Sequence, residues 1–253
     1  MNNAAQLRRI TPQMVPNMVA PQSQRITNGN TDGSLPITIY SDVICPWCYV
    51  GKRRFEKALL APGMPQQLAI TWRPFELNPD MPAEGIERSV YRARKFGPEK
   101  SRQIDQQMTE TGREVGITFA FDKMQHTPNT RLAHRLIWQA GQHGGEAQNA
   151  LVDRLFKGYF EDGLDIGRKD VLLDLATAAG LDSGDARIAL EEDGSLDAVL
   201  DLEYQGVNMG IRGVPYFVLI GKYAISGAQS PELWKDTLPK IAAEGRNQGV
   251  AGA

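Results

Sequence analysis

The sequence predicts an α/β protein in which a β-α-β unit and a β-β-α unit are separated by a long, all-helical insertion. Three observations predict it. A β-rich stretch at 37–43 ends just before the chain's only two cysteines, Cys45 and Cys48, and an amphipathic helical pattern follows them. Helical periodicity takes over at about residue 84 and holds to about 208. At 213–226 the period returns to short apolar strands, and a capped helix closes the chain.

Residues 37–43, Ile-Thr-Ile-Tyr-Ser-Asp-Val, alternate and read as a strand. In the helix that follows, Pro46 falls at an early position, where its missing N–H costs nothing. Cys48, Gly51, Phe55, Ala58 and Leu59 share one face, while Lys52, Arg53, Glu56 and Lys57 take the other. This places Cys48 on the buried face and Cys45 at the exposed tip, and it reads Lys52, Arg53 and Arg54 as a solvated face. Residues 68–73 form a second strand before the turn-rich Pro74-Phe75-Glu76-Leu77-Asn78-Pro79.

About six helices are expected between 84 and 208. Ile104, Met108, Thr111 and Val115 recur at helical spacing, and Gly144-Gly145, Gly163 and Gly180 punctuate the segment. Gly213-Val214-Pro215-Tyr216-Phe217-Val218-Leu219-Ile220-Gly221 reads as an apolar strand, with residues 222–226 as its hairpin partner across a Gly221-Lys222 turn. Ser230-Pro231-Glu232 supplies a hydroxyl N-cap, a first-turn proline and a first-turn acid, with Trp234, Leu238 and Ile241 facing inward.

The chain has 253 residues, 42% of them hydrophobic and 23% charged, with a net charge of −2. That balance offers no basic footprint for nucleic acid, and no apolar run approaches the roughly 20 residues of a membrane span. Residues 1–35 lack apolar periodicity, hold no acid before Asp32, and are expected to be a disordered extension. Pro16 and Asn17 interrupt the one apolar cluster there, so a secretory signal is not expected and the cytoplasm is the expected compartment.

Two cysteines cannot make the disulfide framework of a small secreted domain, so their value is local. A Cys-x-x-Cys zinc site needs a second ligand pair, and the other candidates, His126, His134 and His143, are scattered. The remaining reading is a redox dithiol at a helix N-terminus, where unpaired backbone N–H groups favour a thiolate.

Further motifs recur in a fixed order. They are Ser41-Asp42-Val43-Ile44-Cys45-Pro46-Trp47-Cys48 with Gly51, the Pro74 to Pro79 run, Asn129-Thr130 with Ala133-His134-Arg135, and Gly227-Ala228-Gln229 before Pro231-Glu232. Over residues 36–245 this pattern resembles the DsbA-like branch of the thioredoxin superfamily, and within it FrnE-like proteins. The resemblance implies a thioredoxin-like domain over 36–83 and 209–245, a helical domain inserted over 84–208, and a flexible tail over 246–253. It also implies that Pro215 is a cis-proline beside the dithiol, with the Val214 backbone open to an extended substrate.

The function so implied is thiol–disulfide exchange with protein or small disulfides. Cys45 is the expected nucleophile and Cys48 the resolving thiol, with Pro46, Trp47, Val214 and Pro215 shaping the substrate site. Trp47 stands where the strongly oxidising DsbA pattern has histidine. An indole carries no positive charge, so the potential is expected above that of thioredoxin (~ −270 mV) and well below that of DsbA (~ −120 mV).

No tightly bound cofactor or metal is expected. Glutathione or a thioredoxin system is the expected redox partner, with no nucleic-acid or membrane partner. Asn78 and Asn129 read equally as groove-lining or as turn and cap residues, and His134 as a helix-packing or interface residue. Two other functions remain open. One is a glutathione-dependent transferase or isomerase of the kappa or 2-hydroxychromene-2-carboxylate type, whose patterns resemble Ser-Pro-x-Ser where this chain has Cys45 to Cys48. The other is a chaperone that uses the groove for binding alone.

Overall fold

A computed structural model of the chain describes residues 8–9 and 34–250, the last five by backbone alone. Most of the segment expected to be disordered therefore lies outside the described residues. Of it, Arg8–Arg9 form strand β1 and Leu35 opens strand β2 (Leu35–Ser41). Helix α1 (Pro46–Leu59) and strand β3 (Leu68–Pro74) complete the first unit.

Among the described residues the insertion holds seven helices: α2 (Arg88–Phe96), α3 (Pro98–Arg113), α4 (Arg131–Gln142), α5 (Gly145–Phe160), α6 (Lys169–Ala178), α7 (Ser183–Glu191) and α8 (Asp193–Asn208). It also contains a short ladder, β4 (Ile86–Glu87) against β5 (His126–Thr127), too brief for any period-2 pattern to register. Strands β6 (Tyr216–Leu219) and β7 (Tyr223–Ser226) and helix α9 (Pro231–Val250) close the fold. Residues 246–250, expected to be tail, continue α9.

The two units build one sheet in the order β1-β7-β6-β2-β3. β2 and β3 pair in parallel across the α1 crossover, and every other neighbouring pair is antiparallel. Strand β2 lies inside the sheet between β6 and β3, with Ile37 and Ile39 buried. Phe55 of α1 and Phe217 of β6 meet Trp234 of α9 at ring-centroid distances of 5.0 and 4.7 Å. Tyr49, also on α1, stacks on Phe156 of α5 at 5.1 Å, so one helix belongs to both the sheet core and the insertion core.

That double duty corrects the reading of the charged face of α1. Lys52 is 2% exposed, its ammonium paired with Glu56 and, at 2.9 Å, with Asp153 of α5. Helical periodicity placed Lys52 outward. The insertion covers that face and brings the counter-charge, which a pattern local to α1 does not contain. Arg54 is likewise engaged, donating to the Ala228 carbonyl at 2.8 Å.

The hairpin turn also differs from expectation. Its central residues are Ile220 and Gly221, at φ 47° and 64°, closed by the Lys222 N–H donating to the Leu219 carbonyl at 3.0 Å. Two successive positive φ values suit the right-handed twist of a hairpin, and the β-branched Ile220 occupies a position usually given to Asn or Gly.

Candidate active site

Cys45 is the N-cap residue of α1, with an extended backbone, and its carbonyl accepts the Cys48 N–H at 3.0 Å. Pro46 occupies the first turn, and Trp47 projects from the tip as one of the exposed large apolar side chains. Cys48 points inward and is fully buried. The two cysteines are unbridged. The expectation that Cys45 is exposed is overturned: it is 5% exposed. Its thiol donates toward the Val214 carbonyl at 3.7 Å, across 169 residues of sequence. Local spacing could not foresee that a loop from the second unit would cover the helix tip.

That loop is tightly held. The Val214–Pro215 peptide bond is cis, and the Gly227 N–H donates to the Pro215 carbonyl at 2.8 Å. Arg54, through Ala228, fastens the following Gly227-Ala228-Gln229 turn to α1. The structure thus gathers Cys45, Cys48, Val214 and Pro215 around the start of α1, with Pro46 and Trp47 between the cysteines.

Burial pushes the Cys48 thiol well up from its ordinary value, and the neighbouring Cys45 sulfur adds to the effect; the Ser41 hydroxyl and the Asp42 backbone amide oppose it more weakly. Burial and that neighbouring sulfur thus both favour the protonated thiol at Cys48.

Sequence reasoning gave Asp42 no role of its own, yet it organises the turn into α1. Its carboxylate accepts from the Ile44 N–H at 3.3 Å and the Leu77 N–H at 2.7 Å, and its carbonyl accepts the Cys45 N–H at 3.0 Å. The available signal was an aspartate at the start of a turn, where its side chain bonds the backbone two residues on. His134 of α4 faces this carboxylate, Nε2 to Oδ1 3.6 Å, an ion-pair contact longer than a hydrogen bond. Burial alone would lower the His134 pKa, but Asp42, then Glu203 and Glu76, outweigh it and hold it above the ordinary histidine value.

The remaining candidates have structural partners. Asn78 accepts from the Tyr91 hydroxyl at 2.6 Å and from Lys95 at 3.0 Å. Asn129 accepts from the Arg131 N–H at 2.9 Å, at the start of α4, and donates to the Met81 carbonyl. Asn78 thus ties its segment to α2, and Asn129 the turn into α4. His126 lies 4.0 Å from Asp165 and His143 3.0 Å from Asp185. Among the described residues no group of three or more His, Cys, Asp or Glu side chains could hold a metal ion.

The DSBA-like thioredoxin domain model matches residues 36–239, which spans both halves of the sheet, the dithiol and the whole insertion. The chain belongs to the DsbA-like thioredoxin family. A probable DsbA oxidoreductase from Streptomyces coelicolor is similar to this DsbA-like chain at 31% identity and a TM-score of 0.75, covering 83% of this chain and 91% of that one. The curated sequence of YwbO from Bacillus subtilis, an uncharacterized protein, is 28% identical over 204 residues, 80% of this chain and 94% of its own. A 2-hydroxychromene-2-carboxylate isomerase shares the fold at 14% identity and a TM-score of 0.62, covering 84% of this chain and 98% of its own. The order of elements predicted the helical insertion between the β-α-β and β-β-α units, and the resemblance implied the DsbA-like fold that the family match gives.

Proposed function

We propose that this protein is a thiol–disulfide oxidoreductase of the FrnE type, working through Cys45 and Cys48 on protein or small disulfides. The observation that carries this reading is the placement of Cys45 at the tip of α1, 3.7 Å from the Val214 carbonyl, with Cys48 buried behind it. In the reducing direction the Cys45 thiolate attacks one sulfur of a substrate disulfide. That bond breaks, a Cys45–substrate disulfide forms, and the other substrate sulfur leaves as a thiolate and takes a proton.

Cys48 then acts. Once Cys45 is committed to the mixed disulfide it is neither a charge nor a hydrogen-bonding thiol beside Cys48, so two of the influences that keep Cys48 protonated fall away. Cys48 gives up its proton and attacks Cys45 Sγ. The second substrate thiolate leaves, and the protein holds a Cys45–Cys48 disulfide, having passed two electrons to the substrate. A small thiol such as glutathione, or a thioredoxin system, returns the pair to the dithiol. The same steps in reverse oxidise a substrate.

Pro46, Trp47, Val214 and Pro215 form the rim that receives the substrate chain. A serine in place of either cysteine can polarise a bound thiol but cannot close a disulfide, so the retained pair favours exchange over transferase or isomerase chemistry. In a reducing compartment such as the cytoplasm the pair stands mostly as the dithiol, which favours reductase or isomerase work. Insulin reduction by dithiothreitol tests the reading: the wild-type chain accelerates it and Cys45→Ser does not. Equal rates with both would overturn it in favour of a binding role.

A further inference from the structure

Beside the dithiol, the buried His134 Nε2 has no hydrogen-bond partner among the described residues. Such atoms are rare in folded proteins and each requires a reason. His134 Nε2 is aimed at Asp42 Oδ1, and both side chains are almost wholly withdrawn from solvent. Asp42 is the residue that ties the active-site turn together, through the N–H groups of Ile44, Leu77 and Cys45.

The charged groups that act on His134 come from several elements. Asp42 faces it from the turn after β2, Glu76 from the segment after β3, and Glu203 from α8; Arg131 belongs to its own helix. Arg131 binds the Glu76 carboxylate at 2.8 Å, and the Glu203 carboxylate accepts the Glu76 N–H at 2.9 Å. Tyr159 of α5 lies near Asp42 as a neutral phenol. Arg131 pairs with Glu76 and acts on Glu203, whereas the basic side chain in contact with Asp42 is His134. Arg131 is committed to Glu76, which leaves His134 as the charge partner of Asp42.

We propose that protonated His134 is a positioning residue for the Cys45–Cys48 dithiol, neutralising Asp42 while that carboxylate braces the turn and so making thiolate formation there depend on a proton held by the insertion. The proposal rests on the reading of Cys45 as the reacting sulfur. Its physical content is simple. A carboxylate without a counter-charge disfavours a second anion nearby, and Asp42 is bonded through its backbone to Cys45 and lies against Cys48. With His134 protonated the pair is neutral and a thiolate forms more readily. With His134 neutral the Asp42 charge stands alone.

The pH profile of iodoacetamide alkylation at Cys45 tests this, measured on the full chain as wild type, His134→Gln and the double variant Asp42→Asn/His134→Gln. The His134→Gln protein should react about tenfold more slowly near pH 6, the factor carried by one unit of thiol pKa, and converge on wild type at alkaline pH, where both lack the imidazolium. Removing the Asp42 charge in the double variant should restore much of the lost rate. Parallel profiles for wild type and His134→Gln at every pH, or a double variant no faster than His134→Gln, would overturn the proposal.

A second measurement needs no variant. The His134 imidazole signals of the wild-type chain, followed by NMR, should titrate at a higher pH in the dithiol form than in the disulfide form. Identical titrations would also overturn the proposal. Failure of insulin reduction would instead count against the oxidoreductase reading, since alkylation and NMR report on the sulfur without any disulfide substrate.

Discussion

Gly51 lies directly beneath Pro215: a Cβ built on Gly51 would meet Pro215 Cγ at 2.9 Å, with Ala228 Cα and Cβ both at 3.4 Å. The first of these is closer than real side-chain contacts come. A methyl group on Gly51 must therefore displace the loop that carries Val214 and Pro215 away from Cys45. Gly51→Ala should cost about 1–3 kcal/mol, the usual penalty of overpacking, read from the denaturant midpoint. Its insulin-reduction rate should fall further than the loss of stability accounts for. A variant as active as wild type would show that the spacing between α1 and the loop is not critical.

Only one of the two thiols should be reactive in the folded protein. Burial and the Cys45 sulfur hold the Cys48 pKa well up, so iodoacetamide at neutral pH should label Cys45 alone, and both cysteines only in denaturant. Mass spectrometry of the native adduct checks this. By the same logic Cys48→Ala should accumulate mixed disulfides with its substrates, since nothing is left to resolve them.

Trp47→His should raise the reduction potential. An imidazolium at the exposed tip favours the Cys45 thiolate, and each ~1.4 kcal/mol of extra stability in the reduced form moves a two-electron couple by about 30 mV. Equilibration with a glutathione series should place wild type between thioredoxin and DsbA, and the variant at least ~30 mV higher. A wild-type value at the DsbA end would sink the argument from Trp47.

Stability should fall as pH rises past neutrality. The folded-state pKa of His134 is raised, so the stabilisation it gives is complete below the unfolded histidine value of about 6.5 and is lost as pH climbs through the folded value. Glu203, raised chiefly by burial, acts in the same sense at lower pH. Melting temperature measured from pH 6 to 9 should decline in the wild type and lie flatter in His134→Gln.

Lys52→Met should destabilise the fold by about 1–3 kcal/mol in chemical denaturation. Removing one partner of a buried ion pair leaves the carboxylates under-compensated, and Arg53, which pairs with Glu56 at 2.8 Å and Asp153 at 3.2 Å, moderates the loss. Lys52→Ala removes the packed stem as well and should cost more.

Much of this fold is written in local patterns. The alternation at 37–43, Pro46 in the first turn of α1, the Ser230-Pro231-Glu232 start of α9 and the inward set Trp234, Leu238 and Ile241 each follow from neighbours a few residues away, which is the range over which periodicity and capping act. The spacing of Cys45 and Cys48 likewise marks a candidate dithiol once the rest of the chain is seen to offer no second pair of zinc ligands.

Tertiary structure decided what depends on residues far apart. Lys52 reads as solvated until Asp153 of the insertion closes over it, and Cys45 reads as exposed until the Val214 carbonyl arrives from 169 residues away. Asp42 and His134 are unremarkable in their own segments, and their pairing exists only because α4 packs over the turn before α1. Sequence alone determined the main elements of the two sheet units, the helical character of the insertion, their order and the pair of sulfurs. Burial, counter-charge and the proton state around those sulfurs are properties of contacts between distant segments, and only the folded chain supplies them.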